Sequence, residues 1–327
     1  MAALPALPAL PAAPRIDAPV RPAEPRPRKA PLTVVRRDVQ LVVNGRASGG
    51  GAEVAERAAA ALRTAGARVK TLVTHDEQEL LAAVRGADGR RLVLAGGDGT
   101  VHALANLDLE ALPPAALLPA GKANNIANAL GIPVDWAAAA ELAVRGRPTA
   151  IDALEVATPE RTLYAVEGVS AGFHAAARHR YTGDNSADLT AGARALVAQL
   201  AAFRPHHVSL RADGAPAFDG PAAQVFISNL PLFGFGFRVA PMADAADGRL
   251  EAIVLETASR RGVVKLLAAA RRGEHLDRAG VSWRRAARAQ LDAPLPLVAD
   301  AQPLGVTTAT VTVAPRRLRL VTPGVRS

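Results

Sequence analysis

Residues 94–106 read Leu94-Ala-Gly-Gly-Asp-Gly-Thr-Val-His-Ala-Leu-Ala-Asn106 and continue the apolar run that starts at Arg91. The reading is strand, glycine-rich turn, helix. Two other stretches repeat it: Asn44-Gly-Arg-Ala-Ser-Gly-Gly-Gly51 leaves the run Val39–Val43, and Pro119-Ala-Gly-Lys-Ala-Asn-Asn125 leaves Ala115–Leu118. With Val69–Val73 and Arg91–Ala95 these runs predict strands, and helices are predicted over 52–65, 77–85, 101–106 and 124–130. Strands alternating with helices make βαβ units and a parallel sheet. The three turns then gather at its carboxyl edge, where open α/β sheets bind ligands.

Glycine lets backbone N–H groups approach a phosphate closely, and the following helix adds its unsatisfied N–H groups and the positive end of its dipole. Thr100 and Asn124 stand at N-cap positions, and each can cap its helix. Asp98 is more informative. A carboxylate beside a phosphate cradle repels the anion unless a divalent cation lies between them, so nucleotide with Mg²⁺ is the expected ligand. Gly-x-x-x-x-Gly-Lys-Ser/Thr is absent, as is Gly-x-Gly-x-x-Gly with its acidic partner, so neither a P-loop nor a dinucleotide fingerprint is supported.

Around these turns the 327-residue chain divides by texture. Residues 1–37 are rich in Ala, Pro and Arg and read as a disordered tail; 38–150 read as the α/β domain. From 151 to 327 short alternating runs predict an antiparallel β domain: 162–166, 207–211, 223–228, 250–254, 297–299, 307–313 and 318–321. Helices are expected near Leu189–Phe203 and Arg261–Ala270. The absence of cysteine excludes disulfides, thiolate metal sites and thiol catalysis, and fits a reducing compartment. No apolar run reaches the ~20 residues that span a bilayer. The first residues lack a charged, unbroken signal pattern, so a cytoplasmic protein is expected. Of the +9 net charge, residues 1–37 hold seven basic and two acidic residues, and 258–290 hold nine and two. Two local basic segments suit an anionic membrane surface or are simply solvated arginine faces. Only 3% of residues are aromatic and no nucleic-acid motif is present, which disfavours a nucleic-acid partner.

The segment Leu94–Asn106 resembles the nucleotide signature of the diacylglycerol kinase catalytic-domain family, which includes bacterial lipid kinases and sphingosine kinases. Asn44–Gly49 is similar to its opening loop, Pro119–Pro133 to its Pro-x-Gly-Thr-x-Asn-Asp segment, and Gly168–Phe173 and Asn229–Pro241 to connecting segments. Asp244-Ala-Ala-Asp-Gly-Arg-Leu250 is similar to its metal-associated Asp-Gly loop, and Arg272-Gly-Glu-His275 recurs. The resemblance spans about residues 38–323. It implies a Rossmann-like α/β nucleotide lobe and a β-rich, sandwich-like lobe with the active site in the cleft between them. ATP would be contacted through Asn44, Gly45, Arg46, Ala47, Ser48, Thr74, Gly96, Gly97, Asp98, Gly99, Thr100, Lys122 and Asn124. Mg²⁺ would be organised by Asp247 through its side chain or water, with backbone carbonyls near Asp244 and Arg249 contributing. The acceptor would be a diacylglycerol-like or sphingoid lipid at a membrane, and a homodimer is compatible with this.

Four departures qualify the match. Gly45 replaces a proline, Lys122 a threonine and Asn125 an aspartate; Lys122 either reaches the phosphates as a point charge or lies on the surface. The family's Asp-Gly-Glu, whose Glu is viewed as the base for the lipid hydroxyl, is here Asp300-Ala301-Gln302. An amide accepts no proton, and losing a general base costs ~10²–10⁴ in rate. On an extended segment Asp300 and Gln302 face one side, so Asp300 is the alternative base. The leading expectation is an ATP- and Mg²⁺-dependent lipid kinase with Asp98, Asp300 and Gln302 at its catalytic centre. The alternatives are a weak or inactive relative that binds nucleotide or lipid as a regulator, and an NAD kinase-like enzyme, whose resemblance stops at Gly-Gly-Asp-Gly-Thr. His102 reads as a half-exposed helix histidine, with nucleotide contact as the alternative. Leu232–Phe237 reads as an acyl-chain groove or a packed loop.

Overall fold

Val39, Leu41 and Val43 point to one side of the first strand and Val42 to the other, and all four are fully buried. A strand covered on both faces belongs to a parallel sheet flanked by helices. That is what the computed structural model contains. It describes residues 36–45, 51–180, 194, 197–234, 236–300 and 302–324. The α/β part comprises β1 (Asp38–Asn44), α1 (Gly51–Thr64), β2 (Arg68–Thr74), α2 (Glu77–Arg85), β3 (Arg91–Gly96), α3 (Asp98–Ala105), β4 (Ala115–Pro119), α4 (Asn125–Ala129) and α5 (Trp136–Arg145). Strands β2, β1, β3 and β4 lie parallel in that order. One face packs on α1 and α5, the other on α2, α3 and α4. The sequence reading passed over α5, although Asp135 caps its start by accepting from Ala138 N–H and Gly146 follows its end.

The β-rich part comprises β5 (Arg147–Ala157), β6 (Thr162–Ala165), β7 (Gly168–Gly172), α6 (Phe173–Arg180), β8 (His206–Ala212), β9 (Ala215–Ala222) and β10 (Gln224–Ser228). It continues with β11 (Leu250–Leu255), α7 (Arg260–Arg272), β12 (Val281–Ala286), β13 (Arg288–Ala299) and β14 (Gln302–Thr322). Its strands pair antiparallel in the order β12-β11-β10-β7-β13-β14. Of the helix predicted over 189–203, residues 197–201 are helical; residues 189–193 and 195–196 lie outside the described residues, as does the tail up to residue 35.

One strand ties the two parts together. The runs predicted as separate strands, 307–313 and 318–321, are one strand, β14, which pairs with β13 up to Thr312 and with β5 from Thr310 to Thr322, and reaches β4 at Leu320. Its register slips between Ala314 and Leu318, where Arg316 has a φ of 56°. Buried Asp152 on β5 holds that irregularity by accepting from Arg316 N–H at 2.7 Å, and its other oxygen accepts from Gly248 N–H at 2.8 Å. Residues 33–327 form one compact unit, with β5 running across the expected boundary at 150.

Glu251 on β11 faces Arg285 on β12, whose Nε lies 3.5 Å from Glu251 Oε1, and is 1% exposed, with no hydrogen bond to either carboxylate oxygen. Burial, reinforced by the charge of Asp244, raises its pKa from 4.5 to about 7. The folded chain therefore keeps a proton that the unfolded chain loses, and stability falls as pH rises from 4.5 towards about 7. Glu251→Gln removes that loss: thermal or urea unfolding is expected to show the variant about 2 kcal/mol more stable than the parent at pH 8, with the two converging below pH 4.5.

Candidate active site

The parallel strands bring the predicted turns to one edge. Asn44 and Thr74 end β1 and β2 as register partners, and Gly45 N–H donates to Thr74 O at 2.8 Å. Asn44 Nδ2 donates to Thr100 Oγ1 at 3.3 Å. Arg46, Ala47 and Ser48 lie outside the described residues. Gly96 ends β3, and Ala120 N–H donates to its carbonyl at 2.9 Å. Gly97 and Gly121 then meet backbone to backbone: a Cβ on Gly97 would lie 2.7 Å from the Gly121 Cα, and one on Gly121 2.5 Å from the Gly97 Cα. No larger residue fits either position, so the second and third turns form one glycine-walled cradle.

The helix caps differ from expectation. Helix α3 begins at Asp98 rather than 101, because Gly97 is its N-cap, without a side-chain bond. Thr100 is therefore buried in the first turn and caps nothing, while Gly99 is exposed beside it. Asn124 does occupy the N-cap position of α4, at φ 49°, but its side chain turns back to Gly121, accepting from N–H at 2.9 Å and donating to O at 2.8 Å. The cap of α4 comes from the neighbouring turn. Asp98 accepts from Asn125 N–H at 3.1 Å and from Ile126 N–H at 2.9 Å. The amides of Asn125 and Ile126 at the start of α4 are thus taken by Asp98.

These turns form one side of a cleft of about 570 Å³, whose opposite side carries Glu167, Arg178, Asp300 and Gln302. Exposed Lys122 stands at its rim. Asp300 is not on an extended segment. It sits in the β13–β14 turn at φ 49° with its carboxylate buried, while Gln302 is exposed; the extended geometry expected of the segment is corrected, although both residues border the cleft. Asp300 Oδ2 accepts from Val166 N–H at 2.8 Å and lies 2.8 Å from His102 Nδ1; Oδ1 accepts from Glu167 N–H at 2.8 Å and Gly168 N–H at 3.1 Å. His102, 19% exposed, is thereby joined to the β-rich part instead of lying free on its helix.

Glu167 was missed by sequence reasoning. The signal was available, as a lone charge in the apolar run Leu163–Gly172. Burial, then the neighbouring charges of Asp98 and Asp300, raise its pKa well above 4.5. Burial also raises that of Asp98, against the opposing effect of its two backbone hydrogen bonds. Asn125 Nδ2 donates to Glu167 Oε2 at 2.9 Å. This accounts for the amide where the resemblance predicts aspartate: a carboxylate at 125 would face Glu167 as a like charge.

The Asp-Gly loop lies apart. Asp247 is paired with Arg285, and its Oδ1 accepts from Arg249 N–H at 2.8 Å, while Asp244 Oδ1 accepts from Ala246 N–H at 3.0 Å. Asp247 and Arg249 border a separate depression with Arg285, not the cleft. Among the described residues no group of three or more His, Asp or Glu side chains is gathered to hold a metal. As arranged, Asp244, Asp247 and Arg249 do not fit a Mg²⁺ site, because the Asp247 carboxylate is already neutralised by Arg285. Of the Leu232–Phe237 segment, Phe233 is packed in the core, Phe235 lies outside the described residues, and Phe237 borders an apolar groove of about 300 Å³ with Phe173, Leu200, Val263 and Leu267.

Taken together, these features define an α/β domain with glycine-walled turns, joined to a β-rich, sandwich-like domain across an acidic cleft. Residues 38–156 match the diacylglycerol kinase catalytic domain, and 167–322 match the YegS C-terminal NAD kinase beta sandwich-like domain. A diacylglycerol kinase of Mycobacterium tuberculosis is 29% identical over 262 residues, covering 76% of this chain and 82% of that protein. A protein of Pseudomonas aeruginosa named "Probable lipid kinase YegS-like" is 33% identical over 230 residues, covering 67% and 72%. The chain belongs to the family of diacylglycerol kinases and YegS-like lipid kinases. A crystal structure of a diacylglycerol kinase from Bacillus anthracis shares the fold, with a TM-score of 0.64 at 16% identity over 89% of this chain and 98% of that one. No described helix is long and apolar enough to cross a membrane.

The Asn125–Glu167 contact is directly testable. Asn125→Asp is expected to cost about 1–3 kcal/mol at pH 8 and less at pH 5, where Glu167 is more fully protonated. Glu167→Gln in the same chain should recover the like-charge part of the loss in a double-mutant cycle read by urea unfolding, the remainder being the bond that Asn125 Nδ2 also gives to the Gly234 carbonyl.

Proposed function

We propose that this protein transfers the γ-phosphoryl group of ATP, as its Mg²⁺ complex, to the hydroxyl of a diacylglycerol-like or sphingoid lipid presented at a membrane surface. The observation that carries the reading is the backbone contact of Gly97 with Gly121, since a cradle walled by glycine at the start of a helix suits a phosphate chain. Three carboxylates, Asp98, Glu167 and Asp300, border the same cleft. Their combined charge would repel a bare triphosphate and suits a magnesium-bound one. Bound Mg²⁺ neutralises phosphate charge and helps to orient the transferred group; Asp98 is the carboxylate nearest the cradle and would help to hold it. Lys122, exposed at the rim, adds a point charge for the phosphates.

The lipid side rests on the family and on the basic face of α7. Arg260, Arg261, Lys265, Arg271 and Arg272 are exposed there, beside the apolar groove lined by Phe173 and Phe237. An anionic surface complements that charge, and an acyl chain suits the groove. Gln302 favours a second reading, a weakly active or inactive relative that binds nucleotide or lipid as a regulator, because an exposed amide supplies no base.

Phosphate transfer from radiolabelled ATP separates the two. With Mg²⁺ and diacylglycerol in vesicles, labelled lipid is expected, in greater yield on anionic than on neutral vesicles. Lys122→Ala is expected to raise the KM for ATP about tenfold with little change in kcat. Nucleotide binding without any labelled lipid would support the regulator instead.

A further inference from the structure

His102 stands on α3 one turn beyond Asp98, about 6 Å further along the axis, and borders the same cleft. Its Nδ1 is 2.8 Å from Asp300 Oδ2. Both Asp300 oxygens are surrounded by N–H donors, from Val166, Glu167, Gly168 and the imidazole. With no acceptor to take a proton of its own, the carboxylate accepts from Nδ1–H, which fixes the tautomer and leaves the lone pair on Nε2. Asn106 Nδ2 comes within 3.5 Å of Nε2, but its two hydrogens are given to the carbonyls of His102 and Tyr164 at 2.9 and 2.8 Å. Nε2 therefore keeps an uncommitted lone pair. Of the other groups that border the cleft, Asp98 caps α4, Glu167 accepts from Asn125 Nδ2 and Gln302 is an amide, while His75, Asp76 and Glu77 stand at the start of α2.

We propose that His102 is the general base of the transfer reaction and that Asp300 is its positioning residue, so that an Asp300–His102 pair does the work for which residue 302 lacks a carboxylate. The inference rests on the kinase reading above. The acceptor hydroxyl gives its proton to Nε2; its oxygen forms a bond to the γ-phosphorus; the bond from that phosphorus to the β–γ bridging oxygen breaks, and ADP leaves with the electron pair. The charged groups that border the cleft with His102 are Asp98 on its own helix, Asp76 and Glu77 at the start of α2, Lys122 in the turn after β4, Glu167 before β7, Arg178 on α6 and Asp300, which alone of these is in hydrogen-bond contact with the ring; Arg317 on β14 donates to Ala105 O at the end of α3.

The test uses the full chain with ATP, Mg²⁺ and diacylglycerol in mixed micelles. His102→Asn keeps a donor for Asp300 and removes the base; His102→Ala leaves room for added imidazole. Both are expected to lose about 10²–10⁴-fold in kcat, with the KM for ATP within about threefold of the parent. The parent kcat should rise through an imidazole ionisation, His102→Asn should lack that acidic limb, and imidazole should restore part of the His102→Ala activity. Parent-like kcat or an unchanged acidic limb in His102→Asn, or no imidazole rescue of His102→Ala, would overturn the base assignment while the kinase reading stands. Absence of lipid phosphorylation by the parent itself would overturn both.

Discussion

Everything at the cleft depends on the Asp300 carboxylate. It closes the β13–β14 turn onto three consecutive amides ahead of β7 and reaches α3 of the nucleotide part through His102. Charge-assisted hydrogen bonds to a buried carboxylate are the strong kind, and leaving any of these donors unpaired is costly. One side chain thereby ties the wall formed by the glycine-rich turns to the opposite wall of the cleft. Phosphoryl transfer is chiefly a matter of positioning and charge, so a rigid connection at this point has direct chemical consequences.

Asp98 is the counterpart on the other wall. By capping α4 from the turn before α3, it locks the second and third loops together where Gly97 and Gly121 already touch. The same carboxylate faces Glu167 and Asp300 across the cleft, and burial makes all this negative charge expensive without a cation. In the proposed reading a nucleotide brings that cation with it, and Asn125 keeps the concentration of carboxylates from rising further.

How much of this the sequence discloses follows from the range of the interactions. Strand–turn–helix units are local, so the parallel sheet and the shared edge of its turns could be read from apolar runs and glycines alone. The roles of individual residues were less legible. Thr100 and Asn124 stand at plausible caps, yet Gly97 and Asp98 perform the capping, because a carboxylate 27 residues away reaches the start of α4. Asp300 and Gln302 are two apart, but a left-handed turn at Asp300 breaks the alternation that an extended strand would give. The Asp-Gly loop matched a metal motif in letters, while a cross-strand arginine at 285 decides its charge. The pairing of His102 with Asp300 spans 198 residues, and nothing in the local pattern announces it.

The central claim is that ATP with Mg²⁺ lies in the cradle made by the turns after β1, β3 and β4. Amide hydrogen exchange with and without the magnesium nucleotide reads those turns directly. Slowed exchange over 96–100 and 120–123, with the amides of Asn125 and Ile126 already slow before addition, is the predicted result. Unchanged exchange in these turns at saturating nucleotide, or protection appearing only in the β-rich part, would contradict it.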